Sequence, residues 1–334
     1  MIETTTAASF IDTLERTTQL MLCDPANYKG LYDAVRDLHH EYSRIAGVAA
    51  VDISDADIML PTGKAVSPIQ AAHCLLEFQR TATFVRGVYK AIVELKNAFP
   101  GERIHVLYAG CGPYATLLTP MVTLFTANEV SFSLMDINPA ALEAVKKVYD
   151  YLGLDSYVQE YICADAAVYN VPPDTTVHLA ISETMQHALV KEPQVAVMQN
   201  LIPQLPAKGL FVPSHISVSA QLLDGNEEMK AFATHGMVPR RIVLGNVYHI
   251  SREEYRAAVP VNFRIPNDIF NFKTLYLNTR IETFGGEVLT DYQCSLTNPK
   301  RVTEVDGKEG MSVTFNYVTG ESPRFVHEWQ PAGN

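Results

Sequence analysis

Glycines and acids recur at the ends of short apolar runs in the middle of this chain, and their order has chemical content. Gly110 and Gly112 follow the run IHVLYA. A glycine pair at such a turn lets the backbone approach a ligand closely. Asp136 ends the next run, VSFSLMD, where a carboxylate can accept hydrogen bonds from two ribose hydroxyls. Asp165 follows the third run, placed to accept from an adenine amino group, and Ser182-Glu183 closes the fourth. Each residue has a plainer reading as well. The glycines shape a tight turn, Asp136 caps the helix that Asp-x-Asn-Pro announces, and Asp165 is a surface acid. The favoured reading rests on the set in its order, because ligands in open α/β sheets bind beyond the carboxyl ends of the strands. Pro113 breaks the dinucleotide fingerprint G-x-G-x-x-G.

The elements that must hold these residues follow from the apolar pattern. Strands are expected at 104–110, 130–137, 158–166 and 175–182, with helices over Thr116–Phe125 (interrupted near Pro120), Pro139–Leu152 and Gln194–Leu201. That alternation predicts a parallel sheet between helices, an α/β fold of Rossmann-like type. Residues 1–100 read as mainly helical, with a helix from Ala71 to Leu95 and a loop, DADIMLPTGKAVSP, before it. The stretch LPTGKAVSP reads either as a lid over the ligand or as an ordinary connection, and its Lys64 as solvated. Beyond residue 207, segments such as FKTLYLNTRIETF and MSVTFNYV alternate apolar and polar residues, and GG at 285–286 and DG at 306–307 signal turns. The expected division is a helical region and lid at 1–100, a ligand-binding Rossmann-like domain at 101–206, and an antiparallel, barrel-like β domain at 207–334.

Composition narrows the function classes. A formal net charge of −11 over 334 residues argues against a broad nucleic-acid-binding face. No stretch approaches the roughly 20 apolar residues of a membrane span, and the first residues carry no signal-peptide pattern. The five cysteines form no Cys-x-x-Cys pair, and His39-His40, His215 and His235 show no metal-ligand spacing, so no metal and a reduced, cytoplasmic setting are expected. Cys111, Tyr114 and Tyr169 read as packing residues.

The ordered set resembles the class I S-adenosylmethionine-dependent methyltransferase family: VLYAGCG its first motif, LMDIN its acidic ribose motif, CADA its adenine motif. The resemblance implies S-adenosylmethionine as cofactor, held by Gly110, Gly112, Asp136, Asn138, Asp165 and Ser182. A closer resemblance is to the protein arginine methyltransferases. ISETMQHALVKE is similar to their double-glutamate loop, with Glu183 and Glu192 nine residues apart. LPAKGLFVP is similar to the approach to their C-terminal β-barrel, and FQRTATFVRGVYKAI to the helix whose arginine, here Arg80, takes the cofactor's carboxylate. The layout also implies a homodimer. Two carboxylates facing one pocket suit a guanidinium, holding the cation and orienting it for attack on the sulfonium methyl. The chain departs from that family at Thr184, at Gln186-His187, at Phe84 and in lacking a Thr-His-Trp loop, its only tryptophan being Trp329. Glu192 therefore has two readings, a second clamp or a helix-starting acid before Pro193. His187 likewise reads as an acid or base, or as structural.

Three reactions follow from these resemblances. The first is methyl transfer to a small amine or amino-acid-like acceptor in secondary metabolism, with Glu183, Glu192 and His187 as catalytic candidates. The second follows from a similarity in general look to the bacterial azetidine-2-carboxylate synthases of natural-product pathways. There the cofactor's own amino nitrogen attacks its γ-carbon and methylthioadenosine leaves, with no second substrate. The third is methylation of a guanidino group.

Overall fold

The computed structural model describes residues 6–23, 27–47, 56–234, 238–256 and 258–331. Two amphipathic helices come first, α1 (Ala7–Cys23) and α2 (Tyr28–Ala46). Asn27 caps α2 by accepting from the Gly30 N–H, and Gly47 ends it in the left-handed conformation. The stretch expected as a loop folds into a small hairpin, β1 (Ile58–Leu60) and β2 (Gly63–Ala65).

The helix expected over 71–95 is two helices, α3 (Pro68–His73) and α4 (Phe78–Ala98), separated by a 3₁₀ turn at Cys74–Leu76. Glu77 leaves helical geometry at the break, and the Thr81 hydroxyl satisfies carbonyls there, donating to Leu75 O at 3.0 Å.

The parallel sheet comprises β3 (Ile104–Ala109), β4 (Val130–Asp136), β5 (Val158–Cys163), β6 (Leu179–Ser182) and β7 (Leu210–Val212), in the order β5-β4-β3-β6-β7. β3, β6 and nearly all of β4 are buried, which is why they read as unbroken apolar runs. α5 (Pro139–Leu152) starts on the Asn138 cap and stops at left-handed Gly153; α6 (Gln194–Leu201) follows β6. Two expectations are corrected here. No α-helix spans 116–125: Ala115 is left-handed (φ 44°), Pro113 and Pro120 withhold N–H groups, and only a 3₁₀ turn at Thr119–Thr123 forms. And β7, read as part of the antiparallel region, is the fifth parallel strand, paired with β6.

After it come β8 (His215–Leu223), α7 (Gly225–Ala233), β9 (Arg241–Ser251), β10 (Val261–Arg264), β11 (Thr274–Glu282), β12 (Val288–Leu289), β13 (Lys300–Glu304), β14 (Ser312–Val318) and β15 (Arg324–Gln330). They form two antiparallel sheets. One runs β12-β11-β8-β9, with β13 also on β11; the other runs β10-β14-β15. The barrel-like closure expected for 207–334 is not found among the described residues. Closure requires every strand to be paired on both sides, and the two sheets share no ladder.

The antiparallel part is locked onto α4. Gly87 packs so closely on Thr283 that a Cβ there would lie 2.3 Å from its Oγ1. The Thr283 hydroxyl donates to Thr83 O at 3.0 Å, and Arg86 and Lys90 both pair with Glu287.

Candidate active site

A cavity of about 410 Å³ opens where the first, second, third and fourth parallel strands end. This is the topological switch point: β4 lies on one side of β3 and β6 on the other. Gly110 and Gly112 form its floor in left-handed conformations (φ 72° and 63°) that other residues adopt only with strain. Asp136 holds this turn in place, accepting from Gly112 N–H at 2.9 Å and Asn138 N–H at 2.8 Å. Burial pushes the Asp136 carboxyl above the usual carboxylate range, against the pull of those backbone N–H groups. Asp165 lines the same cavity and accepts from Ala167 N–H at 2.9 Å.

Arg80 is buried, 7% exposed, between two carboxylates. It donates to Glu77 Oε2 at 2.8 Å and forms a short ion pair with Glu183 Oε2. The other Glu183 oxygen, Oε1, is buried without a hydrogen-bond partner. Glu192, 7% exposed, lines the same cavity. It accepts from Gln186 Nε2 at 2.8 Å, and burial raises its carboxyl above the usual range. The nine-residue spacing therefore brings both glutamates to one space, and the loop joining them supplies four further lining residues, Thr184, Met185, Gln186 and His187. His187 is half-buried and held below the ordinary histidine value by burial and then by Lys300 and Lys191.

Two sequence-selected residues do not line the cavity. Asn138 is occupied as the cap of α5, its Oδ1 accepting from Ala140 N–H. Ser182 is fully buried; its carbonyl accepts from Gln194 Nε2 and its hydroxyl meets Thr184 Oγ1. Tyr114 is a core residue, stacked on Tyr42 and bonded to the Ser43 hydroxyl. Cys111 lines the cavity as a buried thiol pushed well above its ordinary value by burial. No group of three metal-ligating side chains occurs among the described residues, and His235 lies outside them. None of the described helices is long and apolar enough to cross a membrane.

The loop between the glutamates is strained. Ala188, Leu189 and Lys191 all have positive φ (53°, 51° and 67°), each costing about 1–3 kcal/mol for a non-glycine residue. The β1–β2 hairpin sits against it. Lys64 N–H donates to Lys191 O at 2.7 Å, and a Cβ on Gly63 would lie 2.8 Å from that oxygen. Leu60, Lys64 and Ala65 line the cavity.

Several lining or supporting residues escaped the sequence reading. Tyr108 sits on β3 inside an apolar run and looked like core. Gln194 holds Thr184 N–H at 2.9 Å from inside an apparently ordinary helix. Ser295 and Leu296 reach the cavity from the antiparallel part, and Glu77 ties Ser295 to Arg80, accepting from the Ser295 N–H and hydroxyl at 2.7 and 2.8 Å. Contacts separated by 218 residues leave no local signal in the sequence.

No protein-family model matches the chain, and no curated protein matches its sequence. Solved structures do. The PRMT1 enzyme-prozyme heterotetrameric complex with AdoHcy from Trypanosoma brucei superimposes with a TM-score of 0.51 at 14% identity, covering 77% of this chain and 95% of that one. Protein arginine methyltransferase 10 of Arabidopsis thaliana, in a uniquely open conformation, gives a TM-score of 0.49 at 12% identity over 77% of this chain and 91% of that one. At such identities the likeness speaks for the fold. The chain has an α/β fold similar to that of the PRMT1 structure, with N-terminal helices, a Rossmann-like parallel sheet and C-terminal antiparallel sheets.

Proposed function

We propose that this protein is an S-adenosylmethionine-dependent transferase acting on a small cationic or amine acceptor. One observation carries the reading: four carboxylates, Asp136, Asp165, Glu183 and Glu192, line the cavity against two cations, Arg80 and Lys64. Burial raises both Asp136 and Glu192, and one oxygen of Glu183 is unpartnered. Burying uncompensated charge is costly, so a cationic ligand would relieve the site. The likeness in fold to an arginine methyltransferase solved with AdoHcy supports the same cofactor.

The cofactor, when bound, supplies a sulfonium whose attached carbons are open to nucleophilic attack. The chain's residues would hold it as follows. The Gly110–Gly112 backbone approaches the ligand, Asp136 accepts from ribose hydroxyls, and Asp165 accepts from the adenine amino group. Arg80 takes the carboxylate. That exchange withdraws Arg80 from Glu183, leaving Glu183 and Glu192 to orient a cation at the reacting end. The acceptor then needs only in-line placement.

A second reading needs no acceptor, and the size of the cavity is compatible with it. Ser295, Leu296 and the hairpin border a volume sized for one small ligand, within the usual range of roughly 300–1,000 Å³. In that reading the cofactor's amino nitrogen, having given a proton to an enclosed carboxylate, forms a bond to the γ-carbon. The γ-carbon–sulfur bond breaks, and methylthioadenosine leaves with azetidine-2-carboxylate as co-product.

Incubation with S-adenosylmethionine alone, then with a panel of amine and guanidino acceptors, decides between them. S-adenosylhomocysteine formed only with an acceptor supports transfer; methylthioadenosine formed without one supports cyclisation. Absence of binding would sink both. Asp136→Ala should weaken cofactor binding, whereas Glu183→Gln should mainly slow turnover. A homodimer, proposed from the same layout, is checked by light scattering.

A further inference from the structure

We propose that Thr279 and Tyr317, from two different antiparallel sheets, are positioning residues that set Glu192 in the cavity. The proposal rests on the reading of Glu192 as an acid of the ligand site.

Glu183 leaves the end of β6 directly and pairs with Arg80. Glu192 depends on a loop with three left-handed non-glycine residues. Its last turn is tighter still: Glu192 N–H donates to Val190 O at 2.8 Å across Lys191, a three-residue turn whose positive-φ form is rare and strained. Such a path persists only where its surroundings over-determine it.

The surroundings are specific. On β11, the buried Thr279 Oγ1 accepts from Ala188 N–H at 2.8 Å. On β14, the Tyr317 hydroxyl donates to Leu189 O at 2.7 Å, and its ring is fixed by stacking on Tyr248 at 5.1 Å. In the turn before β15, Pro323 O accepts from Lys191 N–H at 2.8 Å. Each strained residue thus has its own anchor, and all three anchors lie outside the parallel sheet. The same short path carries Gln186, His187 and Glu192 to the cavity wall. Released from the anchors, the loop would relax toward ordinary backbone geometry, and Glu192 would leave its place in the cavity wall.

The test uses the full chain with Tyr317→Phe and Thr279→Val, and with Thr279→Ser as the conservative variant that keeps the hydroxyl. Hydrogen exchange in the free protein reads the loop independently of any reaction. Protection of the peptide covering 186–193 should fall in Tyr317→Phe and Thr279→Val, with Thr279→Ser like the natural chain and the peptides of β3 and β4 unchanged. Turnover should fall about 5- to 150-fold, the range for leaving one buried hydrogen-bonding group unpaired, while the dissociation constant for S-adenosylmethionine stays within about twofold. Unchanged protection of 186–193 in both variants overturns the proposal. So does loss spread evenly over the parallel sheet, which would make the two residues general stabilisers. If the natural chain does not bind S-adenosylmethionine, the functional reading fails, and the exchange result still decides the positioning role.

Discussion

Replacing Glu192 by glutamine should push stability and function in opposite directions. In the free protein the Glu192 carboxyl is 7% exposed, its one described hydrogen bond comes from Gln186 Nε2, and burial holds its pKa above the usual range. Glutamine has nearly the same volume and keeps a carbonyl oxygen for Gln186, so the substitution removes charge without opening a cavity. Relief at such a functional site is worth about 0.5–2 kcal/mol, which for a chain of this size raises the melting temperature by roughly 2 °C. The sign with pH follows from linkage. A carboxyl with a raised folded pKa binds its proton more tightly when folded. Its contribution to stability is complete below the ordinary carboxylate pKa and is lost as pH rises through the raised value. The gain of Glu192→Gln should therefore be small near pH 4 and full at neutral pH. In the liganded protein the same change removes a charged contact worth about 1.5–3 kcal/mol, so kcat/KM should fall roughly 10- to 150-fold. Calorimetric melting across pH 4–8, beside turnover at neutral pH, measures both. A variant that melts lower than the natural chain at pH 7 and turns over normally would refute the assignment, because Glu192 would then be a structural acid.

Other perturbations separate the remaining parts of the site. Arg80→Met leaves Glu77 and Glu183 without their shared cation and should cost about 3 kcal/mol, the lower end of the range for a broken buried pair because the Glu77 side chain is 30% exposed; urea unfolding measures it. Gly110→Ala should cost about 1–3 kcal/mol and weaken cofactor binding, since its Cβ would lie 2.5 Å from Thr184 Cγ2 at a φ of +72°; adding Thr184→Ser, which deletes that methyl, should restore part of the loss. His105 should titrate below 6.5 in an NMR pH series, because burial disfavours its charged form and outweighs the opposing pull of the Thr176 carbonyl on its ring. A midpoint at or above 6.5 would contradict that placement.

The parallel sheet was legible because its order is written locally. Strands buried on both faces read as apolar runs, Asn138-Pro139 announces α5, and the polar residues after each run mark one end of the sheet. Where the reading failed, the deciding interaction was not local. Helix continuation through 116–125 is prevented by the left-handed Ala115, a conformation no periodicity reports. LFV at 210–212 has the composition of any short strand, and only its partner, β6, makes it parallel. Alternation identified the C-terminal strands one by one, but whether they close into a barrel depends on which edges meet.

The candidate site divides along the same line. Gly110, Gly112, Asp136, Asp165 and Glu183 lie within three residues of a parallel strand end, so reading the strands places them. Glu192 differs, because its spacing from Glu183 is visible while its position is set by Thr279, Tyr317 and Pro323, 87 to 131 residues further along the chain. That distinction explains why a capping acid and a pocket acid looked equally good in the sequence: the eight residues between the glutamates would ordinarily relax away from a left-handed path. It also gives the antiparallel sheets a part in shaping the cavity. They wall the cavity with Ser295 and Leu296, and they hold in place the loop that returns a second carboxylate to it. The buried Glu192 and the unpartnered Glu183 oxygen are sustained at a cost in stability, which the cationic ligand of the proposed function would offset.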